Sequence, residues 1–208
     1  MQREKNGGNS EVYLRMLVEE IHTSIVATID KDGHPQTRAI DIMLWDEDGV
    51  YFLTARGKEF YQQLMDQGYI ALSATKGKKA ISIRGKIKNI GNRKLDEIFK
   101  KNPYMGKIYP KSTRDVLEVF WFYEATGEYF DIEDPSAIVR DSIIIGTPKI
   151  RNSGYRILDN CTGCKMCDSV CPQKCIDLTQ HPFTIEQNHC LHCGQCYEIC
   201  PQHAIRKE

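Results

Sequence analysis

Eight of the nine cysteines in this 208-residue chain stand in two matching runs near its end. Each run reads C-x-x-C-x-x-C-x-x-x-C-P and closes on a proline, Pro172 or Pro201. Because Cys190 lies 29 residues after Cys161, the two runs form an internal repeat with that period. A segment this dense in regularly spaced thiols is expected to fold around the metal that the thiols bind.

The spacing predicts two [4Fe–4S] clusters. Two-residue gaps allow three successive thiolates to surround one cluster, whereas the three-residue gap and the proline direct the fourth cysteine to the other cluster. Zinc ribbons would leave half of these cysteines without a role, and a disulfide framework is typical of small secreted domains. The predicted sets are Cys161, Cys164, Cys167 and Cys200 for cluster 1, and Cys190, Cys193, Cys196 and Cys171 for cluster 2.

Two positions depart from the repeat. The ninth cysteine, Cys175, aligns with Ala204, so we interpret it as a side chain that packs against a cluster and not as a ligand. Lys165 aligns with Gly194; its charge either raises the potential of the nearer cluster, helps a partner to dock, or is simply solvated. Between the two runs, residues 176–178 and 183–185 alternate apolar and polar side chains around His181 and Pro182, which predicts a short hairpin. Residues 155–208 as a whole resemble a bacterial-type ferredoxin with two [4Fe–4S] clusters.

Composition limits the possible partners and location. With 28 basic and 28 acidic residues the formal charge is zero, which favours neither nucleic acid nor an anionic membrane as a partner. Residues 1–9 are polar and predicted to be flexible, without the apolar core of a signal peptide, and no apolar run approaches the length that spans a bilayer. Thiolate ligands need a reducing compartment, so we expect a cytoplasmic protein.

Hydrophobic periodicity and turn signals predict a mainly β domain over residues 10–132. We expect helices over 10–21, 57–67 and 93–101, and strands over 22–30, 36–45, 50–54, 69–75 and 80–90. A late hairpin is predicted from strands 119–123 and 128–132, turning at 125–127. Short strands with regular turns indicate a small antiparallel barrel. Residues 133–154, with an apolar patch at 143–145, are interpreted as a linker that packs in part against the barrel.

The segment from Thr54 to Lys58 passes from a predicted strand into a predicted helix. A phosphate placed there would meet free backbone amides, the helix dipole, the Thr54 hydroxyl and the Lys58 ammonium. Many such turns carry only a solvated Lys and Arg, so the spacing alone leaves both interpretations open.

The surrounding order resembles the pyridoxamine 5'-phosphate oxidase-like family of FMN-binding split barrels. The resemblance covers residues 10–132 and rests on the sequences RAID at 38–41, YFLT at 51–54 and ISIRGK at 81–86. It implies an FMN-binding homodimer with the cofactor between subunits. The cofactor-binding residues that it implies are Arg38, Ala39, Ile40 and Asp41 at the flavin ring, Thr54, Arg56 and Lys58 at the phosphate, with Ser82 and Arg84 completing the site. The alternative is that Arg38 and Arg84 are ordinary cross-strand partners and that Ser82 faces solvent.

One departure from the family bears on function. The basic R-x-H segment by which true pyridoxamine phosphate oxidases resemble one another is missing, and the chain ends in the ferredoxin-like module. Because dioxygen destroys exposed clusters, vitamin B6 oxidation is not the expected activity. A flavin exchanges one or two electrons and each cluster exchanges one, so the combination predicts a converter between one- and two-electron chemistry.

The resulting hypothesis is that the protein is an FMN-dependent iron–sulfur oxidoreductase that acts as a reductase. An external ferredoxin-like or other protein donor would reduce the clusters, and FMN would reduce a small-molecule substrate. The spacing of Tyr and His residues selects no catalytic acid. The alternatives are an electron-transfer protein with no substrate of its own and a redox sensor in which cluster loss alters the barrel.

Overall fold

The computed structural model describes residues 10–150 and 153–208. The predicted flexible segment 1–9 therefore lies outside the described residues. The chain divides into two compact units. The barrel unit comprises described residues 10–129 with Ser142–Pro148, and the cysteine unit comprises Phe130–Asp141 with the described part of Lys149–Glu208.

Helices and strands of the barrel unit follow the predicted order over most of its length. The helices are α1 Ser10–Arg15, α2 Glu59–Gln67, α3 Leu95–Lys101 and α4 Met105–Ile108. Helix α1 continues directly into a π-helix, Met16–Ile21, and helix α4 is followed by a 3-10 helix, Lys111–Val116. The strands are β1 Thr23–Ile29, β2 Pro35–Asp41, β3 Leu44–Asp46, β4 Gly49–Ala55, β5 Tyr69–Lys76, β6 Lys79–Asn89, β7 Leu117–Asp131 and β8 Val139–Ile145.

The eight strands form one curled antiparallel sheet, a half-barrel, in the order β2-β1-β5-β6-β7-β4-β3, with β8 pairing β7. The prediction of a single strand over residues 36–45 is wrong, because β2 and β3 lie at opposite ends of that order. The two buried residues between them, Ile42 and Met43, carry the chain from one edge of the sheet to the other. A continuous strand could not reach both edges.

The predicted late hairpin is also wrong, because β7 is one uninterrupted strand of 15 residues. Gly127, which the sequence suggested as a turn residue, instead allows close approach of another strand. A Cβ atom at this position would collide with the carbonyl oxygen of Ser82 and the backbone of Ile83. Gly85 does the same in the other direction, since its Cβ would collide with Glu124 and Ala125. Both glycines therefore serve β6–β7 packing.

The core lies on the inner face of the curled sheet. Phe52, Phe120 and Phe122 are fully buried there, and Phe60 of α2 stacks on Phe52 with ring centroids 6.2 Å apart. Fully burying each such side chain is worth about 1.5–3 kcal/mol relative to leaving it exposed. Helix α2 ends where predicted, at Gly68 in the left-handed conformation.

The opposite face of strands β2, β1, β5 and β6 is open within the described residues, and we call it the outer face. Its apolar side chains include Ile25, Ile29 and Tyr69, which are 51%, 43% and 47% exposed. Register places Ala39 beside Ile25, Ile25 beside Ser73, and Ser73 beside Ser82 in one row. Small side chains therefore dominate the middle of this face.

The segment predicted as a linker contains β8. Ile143 and Ile145, from the apolar patch that the sequence suggested would pack against the barrel, are buried in the barrel core. Residues 130–141 belong instead to the cysteine unit.

In the cysteine unit two small sheets and two short helices surround the cysteines. Strand β9 pairs with β12, and β10 pairs with β11 in the hairpin predicted around His181 and Pro182. The elements are β9 Tyr155–Ile157, α5 Met166–Val170, β10 Ile176–Asp177, β11 Thr184–Ile185, a 3-10 helix Gln187–His189, α6 Gln195–Ile199 and β12 Ile205–Lys207.

The repeat is visible in the backbone as well as in the cysteines. Three pairs of positions, each 29 residues apart, have positive φ angles. They are Gly163 and His192 at 72° and 55°, Lys165 and Gly194 at 63° and 84°, and Lys174 and His203 at 49° and 46°. None of the helices in the described residues is both long enough and apolar enough to cross a bilayer.

Candidate metal centres and flavin site

Two cavities in the cysteine unit collect the predicted ligands. One, of about 330 Å³, is lined by Cys161, Cys164 and Cys167 together with Cys200. The other, of about 350 Å³, is lined by Cys190, Cys193 and Cys196 together with Cys171. Each cavity thus contains three cysteines from one run and the last cysteine of the other run. The four predicted ligands around each space match the ligand demand of a [4Fe–4S] cluster.

Local backbone geometry brings each run around its cavity. Helices α5 and α6 begin directly after Lys165 and Gly194, whose left-handed conformations turn the chain between the second and third cysteines. Backbone amides also point at sulfur: Gly163 N donates to Cys161 Sγ at 3.4 Å, and His192 N donates to Cys190 Sγ at 3.3 Å. Amide donors of this kind stabilise thiolates and tune cluster potentials.

Burial raises the pKa of the Cys196 thiol to about 11 and raises that of Cys167 as well. Without metal, these groups therefore hold their protons more tightly than an ordinary cysteine. Iron binding must displace those protons, so cluster assembly in this unit depends on pH.

The ninth cysteine lies in the second cavity. Cys175 is 4% exposed, lines the cavity beside Cys171, and its Sγ is 3.5 Å from Cys171 Sγ. Hydrogen bonding to Cys190, together with burial, raises the pKa of the Cys175 thiol. It is therefore in contact with two predicted ligands of cluster 2.

The predicted linker contributes contacts to the same unit that the sequence did not suggest. Arg140 Nε donates to the Cys190 carbonyl oxygen at 3.2 Å, and His189 Nδ1 lies 2.8 Å from the Ile138 carbonyl oxygen. Gln173, beside the first closing proline, binds Ile138 N at 3.3 Å and the Pro135 carbonyl at 2.9 Å. This segment contains no cysteine, so the cysteine spacing could not indicate its role.

In the barrel unit, the predicted phosphate residues lie between the end of β4 and the start of α2. Thr54 is 3% exposed, and its hydroxyl has no hydrogen-bond partner among the described residues. Lys58 is the N-cap of α2 and is exposed, with no ion pair to a described carboxylate. A buried unpaired hydroxyl is costly unless a ligand satisfies it, so these two residues fit an anion at this helix end.

Arg56 is engaged elsewhere. Its guanidinium pairs with Glu118 at 3.2 Å, and Glu118 also accepts hydrogen bonds from Tyr61 and Asn89, each at 2.6 Å. These donors, with Tyr61 first and Arg56 last, hold the pKa of the Glu118 carboxyl below its usual range. Arg56 would have to share or exchange this partner in order to bind a phosphate.

Arg38 lies on the inner side of the sheet. Register pairs it with the buried Val26, its Nη1 donates to Thr28 Oγ1 at 2.7 Å, and its guanidinium stacks 4.5 Å from the Phe60 ring centroid. Burial lowers the pKa of Arg38. Because Phe60 belongs to the first turn of α2, Arg38 approaches the same helix start as Lys58. Ile40, two residues on, packs against the core.

The remaining predicted flavin residues are on the outer face. Ser82 Oγ lies 3.2 Å from Ser73 Oγ, and Arg84 is exposed opposite Ala71. Ala39 lies in the same row as Ser82, and Asp41 is bound by Thr23 and Tyr104 at the end of β2. The structure therefore divides the nine predicted residues between the two sides of one sheet.

The fold and the cysteine sets define a protein with a split-barrel domain of the flavin-binding type and a dicluster iron–sulfur domain. Comparison with protein-family models matches residues 13–126 to "Pyridoxamine 5'-phosphate oxidase" and residues 160–205 to "4Fe-4S dicluster domain". The chain belongs to the pyridoxamine 5'-phosphate oxidase family. These two matches give it a redox role as an iron–sulfur flavoprotein. Comparison with curated proteins found no match.

Solved structures share the barrel fold. A NimC/NimA family protein from Clostridium acetobutylicum is 16% identical with a TM-score of 0.56, over 67% of this chain and 95% of that one. A protein from the same organism, related to general stress protein 26 of B. subtilis (pyridoxinephosphate oxidase family), is 18% identical with a TM-score of 0.51, over 64% and 93%. PhzG from Burkholderia lata 383, in complex with tetrahydrophenazine-1-carboxylic acid, is 13% identical with a TM-score of 0.51, over 71% and 98%.

Proposed function

We propose that this protein is an FMN-dependent iron–sulfur reductase that passes electrons from an external protein donor through two [4Fe–4S] clusters to FMN and then to a small-molecule substrate. One observation carries the proposal. Two cavities each collect four predicted cluster ligands, in a chain whose other domain matches the pyridoxamine 5'-phosphate oxidase family. Because the ligands are thiolates, we place the protein in the reducing cytoplasm.

FMN would contribute the conversion between single electrons and a hydride, while the chain supplies binding and orientation. Thr54 and Lys58 at the start of α2 would bind the phosphate, with Arg38 close by and Arg56 released from Glu118. Ala39, Ile40 and Asp41 of β2 would line the flavin ring through their backbone groups.

Ser82 and Arg84 face away from that helix start, which supports a site shared between two subunits. In this arrangement a second copy would cover the middle of the open outer face, and Ser82 and Arg84 would reach the cofactor held by the partner. Exposed Ile25, Ile29 and Tyr69 supply the apolar area that such a homodimer needs.

The test is an anaerobic titration of reconstituted full-length protein with dithionite, with iron, sulfide and flavin quantified on the same sample. We expect about eight irons and one FMN per chain, with both chromophores bleaching on reduction. Eight irons without flavin affinity would contradict the proposal and leave residues 38–84 without the assigned role.

A second candidate is an electron carrier with no substrate of its own. It is favoured by the exposure of Cys164 and Cys193, which would bring one edge of each cluster near the surface for exchange with a protein partner. Fast reoxidation of the reduced protein by a protein acceptor, with no reoxidation by any small molecule in a substrate screen, would favour this alternative.

A further inference from the structure

Three ionisable side chains from distant parts of the barrel unit form one hydrogen-bonded cluster. His22 Nε2 lies 2.9 Å from Tyr104 Oη, and Tyr104 Oη donates to Asp41 Oδ2 at 2.7 Å. The imidazole and the carboxylate are themselves 3.5 Å apart. None of the roles assigned above uses His22 or Tyr104.

His22 is held in a strained conformation. It ends the π-helix with φ 68° and ψ −60°, the rare γ-turn conformation, which is costly for a residue with a Cβ. Hydrogen bonds from His22 N to Leu17 O and from Ile42 N to His22 O, each 2.8 Å, clamp its backbone on both sides. Strain of this kind persists where the fold needs the side chain in one place, and π-helices often occur at functional sites.

The partners of His22 are positioned just as firmly. The buried Asn102 donates to the Met43 carbonyl at 2.9 Å, which fixes the segment carrying Tyr104 against the chain that follows β2. Thr23, opposite Asp41 in the β1–β2 register, donates to Asp41 Oδ1 at 2.7 Å. The cluster is therefore preorganised and does not depend on a bound ligand.

The contacts join the three groups into one chain. His22 Nδ1 lies 3.2 Å from the Val18 carbonyl oxygen, which can only accept, so Nδ1 donates there. Tyr104 Oη donates to Asp41 Oδ2 and lies within hydrogen-bond distance of His22 Nε2. Tyr104 is therefore in direct contact with an imidazole nitrogen through which a transferred proton can be replaced.

The cluster borders the outer face of the sheet. Asp41 stands two residues after Ala39 on β2, so both side chains point to the same side. Tyr104 is 39% exposed, and the side chains of His22 and Asp41 are about one-third exposed, so a small molecule and solvent can both reach the cluster. Burial, aided by Asp41, raises the pKa of Tyr104, which keeps its hydroxyl protonated between turnovers.

We propose that His22, Tyr104 and Asp41 form a proton relay that supplies the proton consumed when a substrate double bond is reduced on the outer face. This inference rests on the proposed reductase function. The substrate accepts a hydride at one atom and the Tyr104 Oη proton at the other, so the π bond breaks and two bonds to hydrogen form. Solvent returns a proton to Tyr104 through His22 Nε2. The electron pair of the hydride comes from the external donor and the hydride's own proton comes from solvent, so each turnover consumes two electrons and two protons.

The activity test compares two artificial acceptors with the FMN- and cluster-loaded full chain. Menadione takes two electrons and two protons, whereas ferricyanide takes one electron and no proton. Tyr104→Phe and His22→Asn are expected to slow menadione reduction about tenfold or more and to leave ferricyanide reduction within about twofold. Asparagine is chosen at position 22 because it tolerates positive φ.

The matched control is Tyr109→Phe, which removes a hydroxyl from the same part of the chain but outside the cluster. Equal menadione rates for Tyr104→Phe and the control would overturn the relay. The relay would also be overturned if Tyr104→Phe slowed the reduction of both acceptors equally at unchanged flavin content. That result would assign the tyrosine to electron transfer or folding.

A second readout requires no flavin. Long-range ¹H–¹⁵N spectra of the full-length protein, with the His22 signals identified by their loss in His22→Asn, report the contact between His22 and Tyr104. We expect the Nε2 signal to shift in Tyr104→Phe and to stay in place in Tyr109→Phe, because Tyr104 Oη lies 2.9 Å from that nitrogen. An Nε2 signal that is the same in Tyr104→Phe and in the wild type would refute the relay. If wild-type protein reduces neither acceptor, the proposed reductase fails while this measurement still decides whether the relay contact exists.

Discussion

Cys200→Ser is the sharpest test of how the two cysteine runs share their clusters. Cys200 belongs by sequence to the second run, but in the structure it lines the cavity of Cys161, Cys164 and Cys167. Serine keeps the side-chain volume and removes the thiolate. Cys200 is preferred to Cys171 because Cys171 has the Cys175 thiol 3.5 Å away, whereas the equivalent position in the repeat near Cys200 is Ala204.

The magnitude follows from the two cavities. Each collects four predicted ligands, so loss of one ligand should remove one cluster and lower the iron content from about eight to about four per chain. Cys161→Ser should have the same effect, and the double variant with Cys200→Ser should also retain about four irons, since both changes remove ligands of one cluster. Combining Cys200→Ser with Cys190→Ser should remove both clusters.

The assay is iron and acid-labile sulfide per chain after anaerobic reconstitution of the full-length protein. Cys175→Ala is the control and should retain about eight irons, because Cys175 is not needed to complete either set of four. If the Cys190 and Cys200 double variant holds as much iron as Cys190→Ser alone, the two residues serve one cluster and the crossed ligation is wrong.

Three further outcomes are expected. Gly194→Ala should lower the iron content of the cluster served by Cys190, because φ is 84° and the new Cβ would lie 2.8 Å from Tyr155 Oη; an unchanged content would contradict this. Thr54→Val should weaken FMN affinity measured by fluorescence quenching, and Thr54→Ser should restore it if the hydroxyl binds the phosphate. The lowered pKa of Glu118 stabilises the fold above the carboxyl's ordinary pKa, and this stability is lost as the pH falls through the folded-state value. Glu118→Gln should therefore reduce the fall in melting temperature that the wild type shows as the pH is lowered.

Much of the cysteine unit could be predicted because its signals are local. The positions of Cys161 and Cys190, the repeat and the hairpin near Pro182 depend on spacing within a few residues. The same holds for β5, β6 and α2, where Gly68 marks the helix end. In these elements periodicity and turn residues act over distances shorter than the element itself.

The errors in the barrel arose where a local signal had a distant cause. Gly127 suggested a turn, but it is required by the close approach of β6 in the middle of a long strand. The apparent strand over 36–45 is divided because the sheet curls and its two edges are consecutive in sequence. Residues 133–141 had the composition of a linker, yet their hydrogen bonds place them in the cysteine unit.

The chemistry that the cysteines can support follows from the sequence alone, since thiol spacing is a property of neighbouring residues. The side of the sheet that each candidate occupies, and the contact of Tyr104 with His22, 82 residues away, emerge only in the folded chain. Such contacts depend on strand register and on the curl of the whole sheet. Those quantities are set by burial summed over the core, which no single stretch of sequence encodes.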